Sequence, residues 1–95
     1  MTLAHDDLGT GTPVVFLHGL GSDRRRWDPI RRLLPDDVRC VCVDLPGHGD
    51  SPGERPNAVS AVGAVHELVD ALGLERPVVV GHSLGALVAL LCAPT

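Results

Sequence analysis

The sequence predicts an α/β fold: three layers, α/β/α, around a mainly parallel sheet. Short runs rich in β-branched residues, Pro13–Leu17, Arg39–Asp44 and Pro77–Val80, have the length of buried strands. Segments with helical spacing lie between and after them. Strands that alternate with helices imply crossover connections, parallel pairing and helices on the sheet faces. No internal repeat, linker or second domain interrupts the pattern.

The elements follow in order. Thr2 to Asp7 reads as a short edge strand, ended by the turn Gly9-Thr10-Gly11. Pro13–Leu17 is the next strand. Asp23 is placed to cap a helix from about Arg24 to Leu34, with Trp27, Ile30, Leu33 and Leu34 on one face. Pro35-Asp36-Asp37 ends it, and Arg39–Asp44 is a strand. Leu45–Asn57 is a polar loop. Ala58–Leu72 is an amphipathic helix, with Val62, Val65, Val69 and Leu72 at helical spacing and Gly73 as terminator. Pro77–Val80 is a strand and Leu84–Cys92 a helix.

Composition narrows the function. A 95-residue chain with 44% hydrophobic residues can build one small core. Its net charge is −4, so the cluster Arg24-Arg25-Arg26 reads as a solvated helix face and not a nucleic-acid patch. All eight basic residues are Arg, a codon signature of a GC-rich bacterial genome. Met1 to Gly11 lacks an apolar signal region, and Ala86–Ala93 is too short to span a bilayer. Cys40 and Cys42 alternate along a strand, poorly placed for a disulfide. With Cys92 they read as reduced core thiols, and a cytoplasmic location is expected. No metal or cofactor is expected.

The motif Gly81-His82-Ser83-Leu84-Gly85 stands between the apolar run Pro77–Val80 and the helical run from Ala86. Gly-x-Ser-x-Gly in that context is a nucleophile elbow. A serine hydroxyl is a weak nucleophile and must be presented to a base. A tight turn lifts it out of the fold, and Gly81 and Gly85 remove the Cβ atoms that would collide where strand meets helix. The helix N-terminus adds free N–H groups and a positive dipole end. The N–H of Leu84 then points to where an oxyanion would form.

Two further turns belong with it. Pro13–Leu17 ends in His18-Gly19-Leu20-Gly21, whose glycines allow a sharp turn and a second amide, from Leu20, facing the same oxyanion. His18 reads as a structural histidine bonding the backbone of this turn. The third segment is Val41-Cys42-Val43-Asp44-Leu45-Pro46-Gly47-His48-Gly49-Asp50-Ser51. In order and spacing the three segments resemble the α/β-hydrolase superfamily, and the likeness covers nearly the whole chain.

The resemblance implies that Ser83 is the nucleophile and that Leu20 and Leu84 supply the oxyanion-hole amides. His18, Gly19, Gly21, Gly81, His82 and Gly85 support the turn and elbow. Asp44 and His48 match the family's structural turn and not its catalytic acid and base. Ser at position 83 disfavours the relatives with an aspartate nucleophile. The family order also places the Pro13–Leu17 strand between the other two.

By the same resemblance, residues 1–95 are the N-terminal portion of a single domain, a truncated α/β-hydrolase fold, and the triad Asp or Glu and the His lie further along. Of the five histidines here, His48 is on a loop at the Ser83 end of the sheet, which makes it the nearest internal candidate for a base. The expected reaction is hydrolysis of a small carboxylic ester, thioester, lactone or amide through an acyl-serine, with this chain alone inactive. The alternatives are C–C hydrolase, haloperoxidase or menaquinone-pathway lyase chemistry on the same fold, or a non-catalytic fragment. The expected partner is a small-molecule acyl substrate, without nucleic acid or membrane. Val78–Val80 and the nearly all-round apolar last helix also call for cover, from a complementing C-terminal half or from self-association through the sheet edge.

Overall fold

A computed structural model of the chain describes residues 2–54 and 57–93. The elements are β1 (His5–Leu8), β2 (Thr12–Leu17), a 3-10 turn (Arg24–Trp27) running into α1 (Asp28–Arg31), β3 (Val38–Val43), α2 (Ala58–Ala71), β4 (Val78–Gly81) and α3 (Leu84–Cys92). The sheet order is β1-β3-β2-β4. β2 lies parallel to both neighbours, with Leu17 beside Val43 on one side and Gly81 on the other. β1 pairs antiparallel with β3. The expected central place of the Pro13–Leu17 strand, and the mainly parallel sheet, are therefore observed.

Strand alternation sorts the side chains into two cores. Val15, Leu17, Val41 and Val43 face α2 and α3, and pack with Ala61, Val65, Leu68 and Val88. Phe16, Cys40 and Cys42 point the other way and pack with Trp27. The Phe16 and Trp27 rings lie 5.1 Å apart, centre to centre. Cys40 and Cys42 share a face, as their spacing predicts. Helical segments thus cover both faces of the sheet, which gives the three layers.

The first helical segment departs from expectation. Asp23 does cap it, accepting from the Arg25 N–H at 2.9 Å. But the single helix expected from Arg24 to Leu34 is split into the 3-10 turn and the short α1. Pro29 explains the break. It has no N–H to give and its ring excludes the carbonyl four residues back, so it suits a helix start and not a helix middle. Of the expected apolar face only Trp27 is buried, while Leu33 is 86% exposed.

α2 follows its signals closely. Asn57 caps it, accepting from the Ser60 N–H at 2.9 Å. Gly73, at φ +65°, ends it: its N–H bonds Asp70 O and the Leu74 N–H bonds Val69 O, both at 3.1 Å. That pair of bonds is a Schellman cap, and it needs the left-handed residue. The buried face is Ala58, Ala61, Val65 and Leu68; Val62, Val69 and Leu72 lie at its border. The alanines let the helix approach the sheet, which turns the face away from the valine-centred stripe of the sequence reading.

Candidate active site

The parallel strands β2, β3 and β4 bring their C-terminal ends to one end of the sheet. Ser83 stands just beyond β4, as the N-cap residue of α3, at φ 57° and ψ −117°. A non-glycine residue rarely adopts this backbone, and the surroundings must hold it there. They do so by close approach. A Cβ on Gly81 would fall on the Gly85 carbonyl oxygen, and one on Gly85 would fall on the Leu17 carbonyl oxygen. The His82 N–H bonds Leu17 O at 3.0 Å, which carries the β2 ladder to the edge of the turn. The Ala86 N–H bonds Ser83 O at 3.0 Å and starts the helix. Ser83 and His82 are both exposed.

The turn after β2 lies against this elbow. A Cβ added to Gly19 would come 3.2 Å from Ser83 Cβ and 3.3 Å from His82 Nδ1. Leu20 is the next residue and is 61% exposed. The amides of Leu20 and Leu84 have no acceptor among the described residues. Two unengaged N–H groups therefore belong to the two turns that meet at Ser83. No described imidazole hydrogen-bonds the Ser83 hydroxyl.

The turn after β3 is a knot of buried polar groups. Asp44 is fully buried. Its carboxylate accepts from the Arg24 N–H at 2.6 Å, from the Asp50 N–H at 2.9 Å and from the Arg24 guanidinium. Arg24 also meets Asp50 at 3.1 Å and Asp6 at 3.3 Å. Burial works against the Arg24 cation, but its hydrogen bonds to Asp50 and Asp44 outweigh that and raise its pKa. The Ser51 hydroxyl donates to Asp44 O at 2.6 Å and accepts from the Ala4 N–H at 2.8 Å.

The histidines divide clearly. His18 is fully buried. It bonds Gly19 O through Nδ1 at 2.7 Å and accepts from the Leu45 N–H through Nε2 at 3.0 Å. Burial pushes its pKa below the ordinary histidine value, against the opposing effect of the Gly19 carbonyl. This is the structural histidine expected from the sequence. His48 bonds Pro46 O through Nδ1 at 3.0 Å and accepts from the Gly21 N–H through Nε2 at 2.9 Å. Both of its ring nitrogens are occupied, so it is not free to act as a base for Ser83, the role it was the nearest internal candidate to fill. Burial pushes the Cys42 thiol up to about 12, which removes it as a competing nucleophile.

Sequence reasoning missed Arg24. It read as one arginine of a solvated face, and Arg25 beside it is indeed exposed. The available signal was Asp44: a carboxylate at the end of a buried strand needs a cation or several N–H donors. Among the described residues no cluster of His, Cys, Asp and Glu could hold a metal ion. No helix among them is long and apolar enough to cross a membrane.

Residues 14–95 match the model of the Alpha/beta hydrolase family. RutD of Escherichia coli O139:H28, provisionally named a carbamate hydrolase, is 36% identical over 80 residues, which cover 81% of this chain and 30% of RutD. The structure of an esterase from a marine microorganism superimposes with a TM-score of 0.91 at 29% identity, over 97% of this chain and 36% of that one. A thermophilic esterase from Thermogutta terrifontis gives 0.88 at 34% identity, over 96% of this chain and 35% of the esterase. The chain thus spans between a quarter and about a third of the length of the relatives it matches. On sequence and fold together, it belongs to the alpha/beta hydrolase family.

Proposed function

We propose that this chain carries the nucleophile and the oxyanion-binding amides of a serine hydrolase that works through an acyl-serine. The observation that carries the reading is Ser83 itself. It is an exposed hydroxyl, held in a strained backbone, between two turns whose Leu20 and Leu84 amides have no acceptor among the described residues. Strain of this kind costs about 1–3 kcal/mol and persists where function keeps it.

In this reading the Ser83 Oγ attacks a carbonyl carbon and its proton passes to a base. The Leu20 and Leu84 amides stabilise the oxyanion, the leaving group departs with a proton, and water then releases the acid. The substrate class is a small ester, thioester, lactone, amide or carbamate. The esterase structures support the ester and the name of RutD the carbamate within that range. The base and its carboxylate come from outside the described residues: no described imidazole hydrogen-bonds the Ser83 hydroxyl, and His18 and His48, at the same end of the sheet, already use both ring nitrogens in the loops. Residues 1–95 then act as the N-terminal portion of a single catalytic domain. We place the protein in the cytoplasm, where its free thiols stay reduced.

Magnitude decides what the 95 residues do alone. Loss of the base costs about 10⁶ in turnover, nearly as much as loss of the whole triad. An oxyanion hole and binding retain about 10³–10⁴ over water. The purified chain is therefore expected to show no turnover of p-nitrophenyl esters. With a complementing C-terminal half, turnover is expected to appear and to vanish in Ser83→Ala. Turnover by the 95 residues alone, lost in Ser83→Ala and free of contaminating esterase, would show that the base lies within them. Turnover by the reconstituted pair that survives Ser83→Ala would sink the reading.

A further inference from the structure

We infer that His18 and His48 form a reciprocal clamp between the turns after β2 and β3, and that together they are positioning residues for the Leu20 amide. The catalytic meaning of that amide rests on the acyl-serine reading above; the clamp itself is a matter of geometry.

Four hydrogen bonds define it. Each ring bonds a carbonyl of its own turn through Nδ1: His18 to Gly19 O at 2.7 Å, His48 to Pro46 O at 3.0 Å. Each ring reaches across through Nε2: His18 to the Leu45 N–H at 3.0 Å, His48 to the Gly21 N–H at 2.9 Å. A carbonyl can only accept and a backbone N–H can only donate. Both rings are therefore neutral, with the proton on Nδ1 and the lone pair on Nε2. That single tautomer satisfies all four bonds, and no other does. The rings are buried and lie 5.0 Å apart, so each helps to wall the other from water.

The consequence falls on Leu20. The Gly19 carbonyl held by His18 and the Leu20 N–H belong to one planar trans peptide, so they point in opposite directions. Fixing the carbonyl on the buried ring directs the N–H away from that ring. The following peptide ends in the Gly21 N–H, which His48 holds. The peptides on both sides of the Leu20 Cα are thus pinned by imidazoles, the first also by the Ser22 N–H, which bonds Gly19 O at 3.1 Å, while the Leu20 N–H itself has no acceptor among the described residues. Neither ring hydrogen-bonds Ser83, so each acts through the backbone it holds.

The test uses the 95-residue chain labelled with ¹⁵N. Long-range imidazole spectra at neutral pH are expected to show Nδ1 protonated and Nε2 unprotonated at both His18 and His48. Hydrogen exchange is expected to be slow at Gly21 and Leu45. His48→Leu is expected to speed Gly21 exchange about tenfold, the effect of one lost hydrogen bond, and to leave Leu45 protected. The same variant should change the residual dipolar coupling of the Leu20 N–H while couplings in β2 and β3 hold. His48→Gln, whose side-chain oxygen can stand where Nε2 stood, should restore both. An Nε2-protonated tautomer at either ring overturns the clamp, and this measurement needs no variant to fold. Gly21 exchange that is as fast in the wild type as in His48→Leu also overturns it. An unchanged Leu20 coupling in His48→Leu, with Gly21 protection lost, overturns the positioning role. The Ser83-dependent turnover described above succeeds or fails independently of these readings, so the two ideas can fall separately.

Discussion

The turns after β2 and β3 and the turn between β4 and α3 sit at one end of the sheet but obey opposite rules. In the first region four polar side chains are buried and bonded. Asp44, His18, His48 and Ser51 each hold backbone groups from a different stretch of chain. In the second region the polar group of interest, the Ser83 hydroxyl, is exposed and has no hydrogen bond among the described residues, and steric approach of glycines fixes its backbone. One region is held by satisfied hydrogen bonds, the other by shape. The difference suits their proposed work: a nucleophile must keep its hydroxyl free, whereas an oxyanion amide must keep its direction.

The largest expected effect is in the bonded region. Asp44→Ala removes the carboxylate that receives Arg24 and the Asp50 amide. Breaking a buried pair by deleting one partner costs about 3–5 kcal/mol. Arg24 keeps Asp6 and Asp50 as neighbours, which places the loss toward the lower end. Urea unfolding followed by circular dichroism measures it. A loss below about 1 kcal/mol, the range of surface ion pairs, would mean that the knot is not what holds these turns.

Next comes the shape-held region. Gly85→Ala drives a methyl group into the Leu17 carbonyl, which is backbone and cannot rotate away. Overpacking of this kind costs about 1–3 kcal/mol. Gly63→Ala is the control, because a Cβ there meets nothing within 4 Å. Within the helix that change should stabilise by about 0.5–1 kcal/mol. Equal effects at the two sites would remove the case for close approach at the elbow.

The two regions were not equally legible in the sequence. Strand position was readable because valine runs such as Val41–Val43 and Val78–Val80 admit few other structures. The elbow was readable because Gly81, Ser83 and Gly85 act locally, within one turn, and local sterics are written in local sequence. The bonded region was half readable. Asp44 and His48 were placed in a structural turn, but their partners lie far along the chain: Arg24 is 20 residues from Asp44, and Gly21 is 27 from His48. Spacing says nothing about such pairs until the sheet has brought the turns together. The split of the helix expected from Arg24 was legible in principle, through Pro29. Its predicted apolar face won the reading because Leu33 and Leu34 fell at helical spacing, yet Leu33 lies exposed.

A smaller effect separates strain from packing at Ser83. Ser83→Gly should relieve a backbone at φ 57° and ψ −117° that glycine adopts readily. The strain is about 1–3 kcal/mol. Glycine's extra freedom in the unfolded chain takes back about 0.5–1 kcal/mol. A net gain of about 1 kcal/mol in unfolding free energy is expected, against no gain for Ser83→Ala. If neither variant is more stable than the wild type, the serine is not strained and the contrast between the two regions weakens.

The smallest effect tests the outer face of α3, which continues the shape-held region. Val88 is fully buried under the sheet, whereas Leu90, two residues on, is 73% exposed. Side chains two apart on a helix do not share a face, so one helix carries both a core residue and an open apolar strip. Leu87 and Leu91 extend that strip, and Val78 at the start of β4 adds to the exposed apolar surface. Leu90→Gln removes apolar surface that folding leaves in water, so unfolding free energy should change by less than about 0.5 kcal/mol. Val88→Ala, by contrast, should cost well above that, since it empties a packed site. Sedimentation velocity on the same pair separates stability from association. If the strip is sticky, Leu90→Gln reduces self-association at unchanged stability, and Val88→Ala does not. A Leu90→Gln loss as large as that of Val88→Ala would show that this face is covered in solution, and that the helix belongs with the buried region.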